Sequence, residues 1–215
     1  GCGTGNVTRR LRTLGYDMIG LDSSTQMLEI ARQKDESESI LYINQDMREF
    51  ELYGTVSAVV SICDSMNYIT SEDELLKVFK LVNNYLDSGG IFIFDMDTKY
   101  KYESVLAYNV IAEDRDDCSF IWSNYNYEEE QINESNISIF INKEEDMFER
   151  FREVHFQKAY SIETIIDLIK KANMEFVAVY DAFTHKPPRD ESERVYFVAR
   201  ERYQENKTYI KEHED

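Results

Sequence analysis

The sequence predicts an α/β fold: a doubly wound, mostly parallel sheet with an antiparallel last strand and a small antiparallel β insertion. Three observations predict it. Helical and strand-like segments alternate over residues 1–97, the rhythm of helices crossing over between parallel strands. SAVVSI (57–62) is a short apolar run of the kind found in strands buried on both faces. Ile137, Ile139 and Ile141 alternate with polar residues, the period-two mark of a half-exposed antiparallel strand.

The elements follow in order. The chain opens on GCGTGN, three glycines in its first five residues, so it reads as starting inside a domain, with an N-terminal truncation expected. In NVTRRLRTLGYD, Val7, Leu11 and Leu14 recur at helical spacing and Gly15 ends the helix. YDMIGLD (16–22) is a short buried strand ending in an acid. Ser23, Ser24 and Thr25 offer an N-cap to the helix QMLEIARQK, with Met27, Leu28 and Ala31 expected inward. ILYI (40–43) is a strand, NQDMREFEL a loop, and SAVVSI the next strand. Ser71 caps a helix whose face is Leu75, Leu76, Phe79, Val82 and Leu86, and DSGG (87–90) turns the chain into the strand IFIFDM. After the insertion, a helix capped by Ser161 with Thr164 three residues on runs to Ala172. EFVAVYDAF and RVYFVARE close the sheet as two strands, joined by a loop containing Pro187 and Pro188. The charged tail from Tyr203 to Asp215 is expected to fray or form a loose helix.

The predicted organisation is a core of residues 1–104 and 159–202, an insertion of 105–158 and a tail of 203–215. A chain of 215 residues accommodates one α/β domain with an insertion, or two small domains. The net charge of −18 argues against a broad basic face for nucleic acid and against anionic membranes, and suits a surface kept soluble by acid. Apolar runs fall short of the roughly 20 residues of a membrane span, and a signal peptide is not evident. Cys2, Cys63 and Cys118 are odd in number and lack Cys-x-x-Cys spacing, which predicts no zinc site and a reducing, cytoplasmic setting. His155, His185 and His213 are scattered, and no metal site is predicted.

A glycine triplet alone says little; its company says more. Asp22 ends the strand YDMIGLD 17 residues after Gly5, near the spacing of about 20 at which an acid holds ribose hydroxyls in nucleotide-binding sheets. Asp46 follows the strand ILYI with Met47 beside it: an acid there accepts from an adenine amino group, and a methionine packs on the ring. The glycines are not followed by Gly-Lys-Ser/Thr, which excludes a Walker loop. Asn6 stands where a dehydrogenase loop has its third glycine.

GCGTGN, GLDSSTQMLEIARQK, NQDMREF, VVSICDSMNYI and GGIFIFDMDT run in an order that resembles the class I S-adenosylmethionine-dependent methyltransferases. The likeness covers residues 1–98 and resumes at KKANMEFV and the two last strands. It implies a Rossmann-like core, S-adenosyl-L-methionine as cofactor and an antiparallel insertion serving as a lid over the substrate. Carried onto this sequence, it brings the Gly1, Cys2, Gly3 and Gly5 backbone to the cofactor. It puts Asp22, with Ser23 and Met27 alongside, at the ribose, Asp46 and Met47 at the adenine, and Ile62, Cys63 and Asp64 at the methionine end and reacting methyl. The chain departs from the family at its front, where an apolar first strand ending in an acid normally precedes the glycines.

Simpler roles stand beside these. Asp22 can serve as a helix cap, Asp46 as a turn residue, Met47 as core packing and Cys63 as a small buried residue. For the chemistry, the resemblance places Tyr68 beside the methyl site, with Asp64 and Asn67 as further candidates. His155, just before the Ser161-capped helix, is the candidate base, against a structural role. Trp122 and Tyr125, with Tyr68 and His155, are the candidate substrate contacts, because an aromatic lid can hold an amine by cation–π contact. Asp95 and Asp97 read as strand-end residues or as partners of a cationic substrate. The predicted function is methyl transfer to nitrogen or oxygen of a small molecule. The alternatives are a non-catalytic cofactor- or nucleoside-binding protein, and a methyltransferase of protein or tRNA, the latter opposed by the acidic surface.

Overall fold

The computed structural model describes residues 1–35, 39–144, 147–203 and 207. In chain order the elements are α1 (Asn6–Thr13), β1 (Ile19–Asp22), α2 (Thr25–Lys34), β2 (Leu41–Asn44), β3 (Val56–Ser61), α3 (Glu72–Tyr85) and β4 (Leu86–Asp97). The insertion carries β5 (Val110–Glu113), β6 (Cys118–Tyr127), β7 (Ile132–Glu144) and β8 (Met147–Lys158), and the chain closes with α4 (Ile162–Lys171), β9 (Met174–Asp181) and β10 (Arg194–Glu201). The tail expected over 203–215 lies outside the described residues, apart from Tyr203 and Lys207.

Three sheets form. β1 and β2 pair in parallel. β3 and β4 pair in parallel, and β10 runs antiparallel between β4 and β9. The closing strand is therefore the reversed one, as expected. β5 to β8 form an antiparallel meander. Among the described residues β1 is not hydrogen-bonded to β3, and Ile19 and Val60 on these strands are exposed.

The main core lies between α3, α4 and the β3–β4–β10–β9 sheet. Phe94 stacks on Phe92 at 4.5 Å and on Phe197 of β10 at 5.1 Å, and Phe79 of α3 leans on the first two. Burying four such rings is a large share of the folding drive, at about 25 cal/mol per Å² of apolar surface. A second cluster joins Leu28 and Ala31 of α2 to Ile40 and Tyr42. A third, of Tyr102, Leu106 and Ala159 with Trp122 against it, seats the root of the insertion.

Local departures have local reasons. Met27 is 45% exposed, because the inward face of α2 runs through Leu28 and Ala31 and leaves Met27 on its flank. On α1 only Thr8 is buried, while Val7 and Leu14 are exposed. Leu86, expected at the end of the α3 face, begins β4, and a register shift follows before Ile91 pairs with Ala58. Gly89 takes φ 75° in that irregularity, which keeps the expected turn inside the strand. Lys101–Leu106 forms a π-helical turn that the sequence does not announce.

Candidate functional site

Close side-chain neighbours leave no room for a Cβ at two glycines of the first loop. Gly5 has φ 74°, and a Cβ there would lie 2.5 Å from the Tyr42 hydroxyl and 3.1 Å from Ala31 Cβ. A Cβ on Gly1 would lie 2.5 Å from Ser65 Oγ and 3.8 Å from Met47 Cε, so the loop, Met47 and the turn after β3 meet there. Gly3 has φ 53° with nothing within 4 Å of its Cβ position; that side of the loop is open. The Gly3 N–H donates to Asp22 Oδ2 at 2.7 Å and the Ser24 N–H to Oδ1 at 2.9 Å, while the Cys2 N–H donates to the Leu21 carbonyl at 2.9 Å. Each Asp22 oxygen holds one backbone donor in these contacts and keeps acceptor capacity. The cap of α2 is Ser24, whose hydroxyl accepts from the Met27 N–H at 3.3 Å.

A cavity of about 540 Å³ opens at the carboxyl ends of β1 and β2, lined by Ser23, Asn44, Gln45, Asp46, Glu49 and Glu51. Asp46 already has a partner. Arg48 grips both its oxygens, at 2.6 and 3.0 Å, and adds its own N–H at 2.8 Å. These bonds hold the Asp46 carboxyl below the usual carboxylate range. Met47 also packs against the main core. Nothing in NQDMREF announces Arg48's grip, since a lone arginine there looks like surface charge.

Beyond β3 the chain turns a strained corner. Cys63 and Asp64 both take left-handed conformations, φ 66° and 54°, rare for residues with a side chain and characteristic of constrained sites. Asp95, buried on β4, holds the corner by accepting the Cys63 and Asp64 N–H groups at 3.0 and 2.8 Å. Arg194 of β10 spans three carboxylates, Asp64 at 2.5 Å, Asp97 at 2.8 Å and Asp95 at 3.0 Å, and Lys101 pairs with Asp97 at 2.6 Å. Burial pushes the Asp95 and Asp97 carboxyls up, against the pull of their hydrogen bonds and of Arg194. These two acids are thus internal partners of Arg194 and Lys101 rather than contacts waiting for a cationic substrate. Cys63, expected to be buried, is exposed by the corner.

The corner runs into a 3₁₀ turn, Ser65–Tyr68, and β8 of the insertion is fastened along it. Asn67, with no exposed surface, donates to the Lys158 and Asp97 carbonyls at 2.8 and 3.0 Å and accepts from the Asp97 N–H at 2.9 Å. Gln157 donates to Asp64 Oδ2 at 2.7 Å. The Tyr68 hydroxyl lies 3.1 Å from His155 Nδ1, and His155 Nε2 lies 3.1 Å from Glu153 Oε2. Burial, and then the charges of Asp64, Glu153 and Asp97, push the Tyr68 phenol up.

The structure therefore brings Tyr68 and His155 together at the Cys63–Asp64 corner. Glu153 and Gln157 join them without any sequence signal beyond a period of two. The other two aromatics divide. Glu153 pairs across β7 at Ile137, and Ile137 across β6 at Trp122, so Trp122 shares the face that carries His155. Asn124 is the residue in line with Ser135 and His155, so its neighbour Tyr125 projects from the opposite face. Tyr125 is 49% exposed there and does not join the group. The Trp122 indole nitrogen and the Tyr102 hydroxyl are buried without a hydrogen-bond partner. Burial, and then the charges of Asp97 and Asp64, push the Tyr102 phenol up.

A family model described as a methyltransferase domain matches residues 1–90. The candidate methyltransferase YqeM of Bacillus subtilis (strain 168) is 33% identical over 211 residues, 97% of this chain and 83% of that protein. An S-adenosylmethionine-dependent methyltransferase from Clostridium acetobutylicum ATCC 824 superposes with a TM-score of 0.86 at 29% identity, over 94% of this chain and 82% of that one. KedS8, a sugar N-methyltransferase from Streptoalloteichus sp. ATCC 53650, superposes with a TM-score of 0.75, over 94% of this chain and 78% of that one. At 17% identity that last likeness speaks for the fold alone.

Proposed function

This chain belongs to the class I S-adenosylmethionine-dependent methyltransferases, and from that premise we propose that it methylates a nitrogen or oxygen of a small molecule, with Tyr68 and His155 at the reacting atom. The observation that carries this reading is the Tyr68–His155 contact, 3.1 Å across the turn that leaves β3.

The donor set suits the cofactor. Asp22 keeps acceptor capacity for a ribose diol, and the open side of Gly3 leaves backbone free to approach. The cavity that includes Ser23 and Asp46 fits the adenosyl end, with Met47 against the ring. Ile62, Cys63 and Asp64 border the methionine end. Bound S-adenosylmethionine supplies a methyl group already activated on a sulfonium. The protein's own work is then orientation and desolvation, and removal of a proton from an acceptor that carries one. Residues 105–158 act as the lid, with Trp122 on the acceptor side. The same fold in KedS8, a sugar N-methyltransferase, is in line with a small-molecule acceptor. We place the protein in the cytoplasm, the reducing setting that three cysteines without Cys-x-x-Cys spacing suggest. No helix among the described residues is long and apolar enough to cross a membrane.

Calorimetric titration with S-adenosylhomocysteine and with NADH tests the cofactor half. Micromolar binding of the adenosyl ligand alone is expected. Asp22→Ala should weaken it about 30-fold, the loss of roughly 2 kcal/mol expected when hydrogen bonds to a charged group are removed. A panel of primary amines and phenols, scored by S-adenosylhomocysteine release, tests the acceptor half, and Tyr68→Phe should lower turnover at unchanged cofactor affinity. Equal binding by the Asp22→Ala protein would sink the cofactor assignment.

A further inference from the structure

We propose that Glu153 is a positioning residue that fixes the tautomer of His155, so that the Tyr68 oxygen faces the acceptor as a hydrogen-bond acceptor. The inference rests on the reading of Tyr68 and His155 given above.

The argument starts from hydrogen-bond inventory. An ionised carboxylate only accepts, so the ring nitrogen 3.1 Å from Glu153 Oε2, Nε2, carries a hydrogen. In neutral imidazole the other nitrogen is then an acceptor. That nitrogen, Nδ1, lies 3.1 Å from the Tyr68 hydroxyl, so Tyr68 donates its only proton to His155. Its remaining lone pairs are left for a partner that donates, such as an N–H or O–H awaiting methylation. Reverse the tautomer and the pair reverses: Nδ1–H donates to Tyr68, and the phenol proton turns outward, where it would compete for the acceptor's lone pair.

The rest of the neighbourhood agrees with this direction. The charged and titratable groups around Tyr68 are Asp64 and Asp97 from the core, Glu153 on β8, and Tyr102 on the π-helical turn, with Arg194 compensating the two aspartates. Burial, and then the charges of Asp64, Glu153 and Asp97, keep Tyr68 a phenol. A proton leaving the methylated acceptor passes to Tyr68 Oη as the phenol's own proton passes to His155 Nδ1. The tyrosine ends neutral, and the positive charge ends on an imidazolium against Glu153. Glu153 is more than half exposed, so the proton has a way out to solvent. Two strand neighbours at positions 153 and 155 share one face, which is how β8 supplies both residues.

The test is nitrogen NMR of the imidazoles at a pH where they are neutral, on the whole chain saturated with S-adenosylhomocysteine. With three histidines in the chain, assignment is direct, and His185, which meets the Tyr180 ring edge-on, is the internal control. The parent protein should show His155 in a single form with hydrogen on Nε2. Glu153→Ala should bring in a substantial population with hydrogen on Nδ1. Glu153→Gln, whose amide oxygen still accepts, should restore the single form, a rescue that a merely structural residue would not give. His185 should not move in either variant. A parent protein with hydrogen mainly on Nδ1, or a Glu153→Ala protein with an unchanged His155 tautomer, overturns the proposal. Loss of S-adenosylhomocysteine binding would instead strike the cofactor reading, and a calorimetric control on the same samples separates the two.

Discussion

Asn67 makes three hydrogen bonds from a side chain with no exposed surface. Two of its partners are 30 residues away and the third is 91, so nothing local in DSMNYI could reveal its task. Sequence reading singled it out only as a neighbour of the methyl site. Asn67→Ala would remove the acceptor of the Asp97 N–H and a donor to the Asp97 and Lys158 carbonyls, and urea denaturation should show a loss of about 3 kcal/mol. Asp46 gives a case with a pH signature. Arg48 depresses the Asp46 carboxyl, so the pair's stability is fully present above the ordinary carboxylate range and is lost as pH falls through the lowered value. Both side chains are partly solvated, which limits the gain to about 0.5 kcal/mol. Arg48→Met should therefore lower the urea midpoint slightly at neutral pH and leave it unchanged once the pH has fallen below the depressed Asp46 value and the carboxyl is protonated.

Strands declare themselves by composition, and the parallel pair β3 and β4 was legible from its apolar runs. The period of two in the insertion was legible too. What alternation cannot say is which set of side chains faces the core, and Tyr125 fell on the outer face for that reason. The π-helical turn of KYESVL was hidden because its residue types suit an α-helix as well. The glycine loop was read from spacing, and packing now gives the reason for one of its members. Gly5→Ala would force a side chain into a left-handed position and against the Tyr42 hydroxyl. Its cost should be at least about 2 kcal/mol in urea denaturation, with S-adenosylhomocysteine binding weakened as the loop shifts.

Over the whole molecule, the net charge of −18 works against compaction through self-repulsion. Raising sodium chloride from about 0.02 to about 0.3 M shortens the screening length severalfold, and the melting temperature should rise. A chain whose surface charges were balanced would show no such gain. The same acid, with ion pairs such as Arg194's turned inward, sets the surface against polyanions. The insertion's fastening has a mechanical consequence. β8 is clamped at residues 155–158 by Tyr68, Asp64 and Asn67, while Met147, Phe148 and Phe151 at its far end lie exposed. Such a sheet behaves as a cantilever, stiff at the root and compliant at the tip. Amide deuterium uptake along this strand should climb steadily from Lys158 toward Met147. Acceptors would then come and go by flexing of the outer strands, while the distances around His155 stay constant through every turnover.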